Sequence, residues 1–461
     1  MPRQRRSRLR HWDECAAAAL FTDLYALTMV QAYFIEDMKQ TAVFDFFMRR
    51  LPDRWNYVIA CGVADVLQML EDLSFSAEEL DYLRDLGEFS PEFLEYLADF
   101  QFTGDVYALP EGTVAFPLAP LVEVVAPLPE AQLVETLLIN QVHFQTLMAS
   151  KAARIVQAAR GATVVDFGTR RAHGMDSAIK GARAFHVAGV AATSNVLAGK
   201  IYGIPVRGTM AHSYIQAHDD EFEAFRSFVS LYPDTILLVD TYDTLAGVRK
   251  VVRLAHEMGS EFQVRAIRLD SGDLATLSHA SRQILDEAGL HRVEIFASNN
   301  LDEYAISGLV SQDAPIDGFG VGTRMSVSSD APTIDCAYKL VSYGGRGRMK
   351  LSAGKSSLPG RKQVYRFQEG GTMVRDVIAL ADENVSEGTP LLVPVMRGGK
   401  RLRAGCSNLA AARKRAQQQR QALPPRLHAL EKVDPPFPVE VSAALAAERE
   451  RLRAELAQPR E

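Results

Sequence analysis

From about Thr163 to Thr323 the chain alternates short apolar β-type runs with amphipathic runs of helical period. Seven runs have strand character: Thr163–Phe167, Val190–Ser194, Ile204–Val206, Ile236–Asp240, Val264–Asp270, Val293–Ser298 and Gly318–Val321. Each ends in polar or glycine residues, among them Asp166/Arg170, Thr209/His212, Asp240/Asp243, Arg268/Asp270/Asp273 and Gly322/Thr323. Strand–helix alternation predicts a parallel sheet, and a long series of such units suits a barrel. Polar residues gathered at the carboxyl ends of parallel strands predict one concave site there.

The flanks read differently. Glu14 to Tyr33 has helical spacing, Val43–Met48 is strand-like with Asp45 set among aromatics, and Asp65–Leu73 and Ser76–Phe100 are helical, the latter broken near Gly87 and Pro91. Val106–Ala108 and Thr113–Phe116 around Glu111-Gly112 give a hairpin signal, and Leu121–Val125 adds a strand. Pro129–Arg160 is a long amphipathic helix. After Thr323, glycine-broken β-type runs (Ala337–Tyr343, Gly345–Leu351, Val364–Phe367, Val374–Leu380, Pro390–Met396) predict a return to the first sheet. Charged helices follow at Ala410–Leu423 and Val441–Ala457. The expected fold is therefore α/β, an irregular TIM-like barrel with a discontinuous α+β N-terminal domain and a helical C-terminal tail. The expected boundaries are 1–127 for the N-terminal domain, 128–334 for the barrel, 335–404 for the return strands and 405–461 for the tail.

Composition narrows the partners. The chain has 461 residues, 47% of them hydrophobic, enough for a large core. A formal charge of −6 offers no broad basic field for nucleic acid. Basic residues cluster locally at Arg3, Arg5, Arg6, Arg8 and Arg10, expected to be a disordered tail, and in Arg346–Lys362. Four cysteines without CxxC spacing indicate neither a zinc site nor a disulfide framework and suit a reducing cytoplasm. No apolar run approaches the about 20 residues that span a bilayer.

Among candidate groups, His212 follows the Gly208 break at a strand end, beside Thr209 and Ser213. Neutral imidazole serves as a nucleophile toward phosphorus or as a base when a carboxylate holds its other nitrogen, and Asp240 on the next strand is the expected orienting group. In Arg268-Leu-Asp-Ser-Gly-Asp273, alternation puts Arg268 and Asp270 on one face. A guanidinium there holds a carboxylate or phosphate, and Asp270 and Asp273 suit sugar hydroxyls or Mg²⁺; an internal Arg268–Asp270 salt bridge is the alternative. Phe167, Arg170 and Arg171 place a ring and two cations after a strand. Gly318-Phe-Gly-Val-Gly-Thr323 offers backbone N–H groups to a phosphate. Gly354-Lys355-Ser356-Ser357 lacks the earlier glycine of a P-loop, since Met349 stands there. The basic run around it is either a phosphate-facing loop or a solvated hairpin.

Six ordered motifs together, Thr22-Asp-Leu-Tyr25, Phe167-Gly-Thr-Arg-Arg-Ala172, Gly208-Thr-Met-Ala-His-Ser213, Arg268-Leu-Asp-Ser-Gly-Asp273, Gly320-Val-Gly-Thr323 and Pro359-Gly-Arg-Lys-Gln-Val364, closely resemble the nicotinate phosphoribosyltransferase family. The resemblance implies a type II phosphoribosyltransferase fold. It also implies joining nicotinate to 5-phosphoribosyl 1-pyrophosphate, with ATP hydrolysis coupled through a phosphohistidine and Mg²⁺ carried mainly by pyrophosphate rather than by direct protein ligands. It casts His212 as the phosphorylated histidine and Asp240 as its orienting carboxylate. Thr209 and Arg268 become nicotinate contacts, Phe167 and Tyr25 the two faces of a ring sandwich, and Arg170 and Thr323 anion contacts. Tyr25 would reach in from the partner of a homodimer with shared active sites. Ser298, Asn299, Gly320 and Gly322 fall in the expected phosphate-binding loops.

The departures are local. Asp166, Thr169 and His173 stand where the family more often has glutamate, leucine and glutamine, and Ser298-Asn299-Asn300 lacks the second glycine of the usual loop. Competing readings are a nicotinamide-specific enzyme, against which Arg171 speaks, and a non-catalytic phosphoribosyl-binding protein, expected to have lost His212, Arg268 or Asp270. A quinolinate enzyme lacks a dedicated decarboxylating group here, and a Schiff-base lyase would need a strand-end lysine that is missing.

Overall fold

In a computed structural model of the chain, residues 19–351, 357–406 and 408–457 are described. The arginine-rich start, Cys15 and most of the Gly354–Ser357 stretch therefore lie outside the described residues. The chain divides into two units, one running up to Leu147 and resuming at Thr333, the other Met148–Pro332. The boundary falls inside the helix Glu135–Ala158, rather than ahead of it at 127/128.

The discontinuous unit is built on a seven-stranded antiparallel sheet. Its order is Arg346–Gly347, Asp335–Tyr343, Thr41–Arg50, Pro120–Pro127, Asp105–Ala108, Val393–Arg397, Lys400–Arg401. Strands from both ends of the chain thus share one sheet. A second, four-stranded sheet holds Thr389–Pro390, Lys362–Glu369, Thr372–Leu380 and Val439–Val441. Ala42–Met48 is buried along its whole length, which explains its aromatics and isolates Asp45. Lys362 answers it with an ion pair at 2.8 Å, and Arg361 pairs with the fully buried Glu123 at 2.9 Å. Two cations of the Arg346–Lys362 run are thus turned inward.

The continuous unit carries six parallel strands in the order Ala192–Thr193, Thr163–Asp166, Gly318–Val321, Glu294–Ala297, Ala266–Leu269, Ile236–Leu238. The expected strand Ile204–Val206 shrinks to one bridge, Val206 beside Thr193. Among the described residues no ladder joins it to Ile236–Leu238, so the barrel is irregular. Helices between the strands start at side-chain caps: Asn195 accepts from Ala198, Asp243 from Ala246, Asp273 from Ala275 and Thr276, and Asp302 from Tyr304 and Ala305. Such caps satisfy donors that the first helical turn leaves unpaired. A buried ion cluster fastens the outer layer: Lys151 meets Glu303 and Asp330, each at 2.5 Å, and Arg154 meets Glu303 at 2.9 Å. Among the described residues no helix is long and apolar enough to cross a membrane.

Candidate active site

At the carboxyl ends of these strands lies a cavity of about 500 Å³. Phe167, Arg170, Thr209, His212, Arg268, Asp270, Ser298, Asn299, Gly320, Gly322 and Thr323 all line it, together with Arg171, Ser194 and Asn300. Six separate strand ends and turns are thereby brought to one place, as parallel-strand architecture dictates. A larger cavity of about 730 Å³ shares Phe167, Gly208 and Thr209 and leads into the barrel interior toward Asp234, Arg265 and Asp317 at the strand starts.

Arg268 is the hub. Its Nε donates to Ser298 Oγ at 2.8 Å, Nη1 to Thr209 Oγ1 at 2.7 Å and Nη2 to Asp270 Oδ1 at 2.6 Å. Its guanidinium carbon stands 5.4 Å from the centre of the Phe167 ring. Ser298 also donates to Asp270. Burial alone would raise the Asp270 carboxyl, but the Ser298 hydroxyl and Arg268 outweigh it and hold the group below its ordinary value. The salt bridge offered as an alternative to function is therefore present, and it belongs to the cavity wall.

His212 begins a short helix, His212–Gln216, with Nδ1 3.1 Å from Thr241 Oγ1 and Nε2 3.6 Å from Asp270 Oδ2. Asp240, expected to orient it, does something else. Its Oδ2 accepts from the Asp270 backbone at 2.8 Å and from Ser271 Oγ at 2.6 Å, while its buried Oδ1 has no partner among the described residues. It props the turn that carries Asp270. Asp273 lies outside the cavity lining: its carboxylate caps the helix Leu274–Glu287 and accepts from Thr276 Oγ1 at 2.7 Å, which lowers its pKa. Tyr25 stands exposed on the helix Leu24–Ile35 of the other unit, where Asp23 is held by Thr136 at 2.7 Å.

The glycine loops have different tasks. A Cβ on Gly320 would meet the Phe167 ring at 2.5 Å, and one on Gly168 would meet Ser326 Oγ at 1.6 Å. Asn299 and Asn300 take φ of 96° and 48°, left-handed values that asparagine tolerates better than most side chains. The missing glycine of that loop is thereby replaced without losing its turn. Thr241 and Ser298 as partners of His212 and Arg268 are what sequence reasoning lacked; Thr241's only signal was its place directly after a strand-end aspartate.

A parallel α/β barrel unit with cationic and glycine-lined strand ends around a histidine–carboxylate pair defines a class of enzyme that handles anionic, phosphorylated substrates. Comparison with known proteins makes this specific. Residues 20–143 match the nicotinate phosphoribosyltransferase (NAPRTase) N-terminal domain, and residues 162–351 match the nicotinate phosphoribosyltransferase (NAPRTase) family. Nicotinate phosphoribosyltransferase pncB2 of Mycobacterium tuberculosis is 56% identical over 435 residues, covering 94% of each chain. The nicotinate phosphoribosyltransferase of Bacillus subtilis is 44% identical over 379 residues, covering 80% of this chain and 77% of its own. The crystal structure of human nicotinic acid phosphoribosyltransferase superposes with a TM-score of 0.82 at 27% identity, covering 94% of this chain and 99% of its own. The chain belongs to the nicotinate phosphoribosyltransferase family, enzymes of pyridine nucleotide biosynthesis.

Proposed function

We propose that this site joins nicotinate and 5-phosphoribosyl 1-pyrophosphate, forming the bond from the pyridine nitrogen to the anomeric carbon and breaking the bond from that carbon to pyrophosphate. One observation carries the reading: Thr209, Arg268, Asp270 and His212 form a continuous chain of contacts within one cavity. Thr209 and Arg268 supply donors for the nicotinate carboxylate, and Phe167 supplies a face for its ring. Arg170, Arg171, the backbone at Gly320 and Gly322, Asn299 and Thr323 face the phosphates. Departure of pyrophosphate leaves positive charge at the anomeric carbon, which the ionised Asp270 favours, and negative charge on the leaving group, which the arginines favour.

His212 takes the phosphoryl group of ATP in this reading. Asp270 favours a proton on Nε2, leaving the Nδ1 lone pair beside Thr241 as nucleophile; ADP leaves, and hydrolysis of the phosphohistidine later returns the imidazole and phosphate. In this reading Mg²⁺ would arrive on pyrophosphate, carried by the substrate rather than by direct protein ligands. Bound there, the ion would neutralise charge on the leaving group. The exposure of Tyr25 accords with a role toward a second copy of the chain in a homodimer. A cytoplasmic setting, which four cysteines without CxxC spacing suit, belongs to the same reading.

The test offers nicotinate or nicotinamide with 5-phosphoribosyl 1-pyrophosphate and Mg²⁺, with and without ATP. Mononucleotide from nicotinate, increased by ATP, is the expected result. His212→Ala is expected to lose the increase; a variant that keeps it removes the phosphohistidine from the mechanism.

A further inference from the structure

Asp166 ends the strand Thr163–Asp166 and is almost fully buried. Its Oδ1 accepts from the Gly168 N–H at 2.8 Å and its Oδ2 from Thr193 Oγ1 at 2.7 Å. Its carbonyl accepts from the Ser194 N–H at 2.8 Å. One residue therefore ties together two neighbouring turns, Phe167–Arg171 and Thr193–Asn195, both of which face the cavity. We propose that Asp166 is a positioning residue for the anion-binding wall, locking these turns to each other and so setting where Arg170, Arg171 and Ser194 meet the substrate's negative charge. The proposal rests on reading Arg170 and Arg171 as anion contacts.

The hydrogen-bond inventory requires a carboxylate here. Thr193 Oγ1 already accepts from the Asn195 N–H at 3.0 Å, so its single proton must go to Asp166. The Gly168 N–H needs an acceptor as well. Two donors converge on two oxygens. Asparagine offers one acceptor and two unwanted donors, and protonated aspartate adds a proton with no place to go. Room is equally restricted on the far side, since Gly168 sits directly against Ser326.

Among the described residues no cation pairs with this carboxylate. The titratable groups on the elements around it include Arg170 and Arg171 on its own turn, Arg324 on the helix Thr323–Ser326, and Asp176, Lys180, Arg183 and His186 on the helix Met175–Ala188. Arg324 is held by Asn300, Lys180 by Asp176, and Arg183 lies over Tyr202; none touches Asp166. Burial pushes the carboxyl up to about 6 against the opposing hydrogen bonds of Thr193 and Gly168. Above that pH the ionised form holds both turns. Below it one acceptor is lost, and the wall loosens.

The experiment titrates Mg²⁺-pyrophosphate and nicotinate into wild type, Asp166→Asn and Thr193→Val from pH 5 to pH 8, with thermal melts in parallel. The ratio of wild-type to Asp166→Asn affinity cancels the ligand's own titration. It is expected to be about tenfold for at least one ligand at pH 8, on the order expected for a lost charge-assisted hydrogen bond, and to approach one at pH 5. Thr193→Val removes a bond that lowers the Asp166 pKa, so its affinity should start to fall at a higher pH than in wild type. Should Asp166→Asn fail to fold, the Thr193→Val shift decides. A ratio near one at pH 8, a pH-independent ratio, an unshifted Thr193→Val, or wild type that binds neither ligand overturns the proposal. Binding is read directly, so absent nicotinate turnover would count against the reaction and leave this ratio to be judged separately.

Discussion

Asp270 stands 3.6 Å from Nε2 of His212 through one carboxylate oxygen while the other accepts from Arg268 at 2.6 Å. One side chain thus faces both the residue proposed to carry phosphate and the residue proposed to hold nicotinate. A change in charge at His212 is felt at Arg268 through a single intervening group, which is a physical route for coupling the two.

Asp270→Asn keeps the shape and removes that link. Turnover should fall roughly 100-fold, on the scale of a lost electrostatic contact in a site of this kind, with the ATP-stimulated ratio falling toward one. The folded pKa of Asp270 lies below its ordinary value, so its stabilising contribution is complete above the unfolded value and is lost only as pH falls through the lower folded one. Steady-state rates between pH 5 and pH 9 should therefore show no limb from this group. A limb present in wild type and absent from Asp270→Asn would contradict its assignment as ionised throughout.

Arg268→Lys preserves charge but not the fork. The guanidinium reaches Ser298, Thr209 and Asp270 at once, and an ammonium cannot span the same three directions. KM for nicotinate should rise at least about tenfold, the scale of one charged hydrogen bond, with a smaller effect on KM for 5-phosphoribosyl 1-pyrophosphate. Equal effects on both substrates would mean that Arg268 organises the whole cavity rather than the pyridine side.

Much of this site was legible in the chain because strand-end position is a topological property. His212, Arg268 and Asp270 follow apolar runs, and parallel strands must bring such ends together. What failed was orientation. Asp243 and Asp273 occupy the same kind of position as Asp270, yet their carboxylates turn to the first N–H groups of the next helix. Aspartate is favoured both as a helix cap and as a ligand group, so residue type cannot separate the two. Asp240 differs for a related reason: its Oδ2 is engaged with Ser271 and the Asp270 backbone, and Thr241 and Asp270 stand beside the His212 ring instead. The strand Ile204–Val206 had the apolar pattern but forms a single bridge, Val206 to Thr193, among the described residues.

Gly320 was read as a phosphate-facing backbone, and its geometry adds a second reason for glycine. A methyl group there would stand 2.5 Å from the Phe167 ring. Gly320→Ala should push that ring out of place, raising KM for nicotinate several-fold or more while the protein remains folded, since overpacking of this size costs about 1–3 kcal/mol. The paired variant Gly320→Ala with Phe167→Leu should recover the melting temperature but not nicotinate affinity. Recovery of both would remove Phe167 from the ring-binding role.

Lys362 carries a buried charge in the discontinuous unit. Its ammonium, itself buried, lies 2.8 Å from Asp45 and donates to the carbonyls of Leu358, at 2.9 Å, and Gly360. It thereby joins the centre of the seven-stranded sheet to the first residues of the other sheet. Burial pushes the Asp45 carboxyl up, Lys362 pulls it back, and the nearby charge of Glu123 raises it further. Lys362→Met leaves a buried carboxylate without its cation, which typically costs about 3–5 kcal/mol, and the melting temperature should drop accordingly. Lys362→Met with Asp45→Leu removes both charges and should recover most of the loss, because a buried pair contributes little beyond an apolar pair of similar volume. The contrast between single and double variants, read by denaturant melts, separates the two explanations. If the double variant is as unstable as the single one, the ammonium matters through Leu358 and Gly360, and the ion pair is incidental.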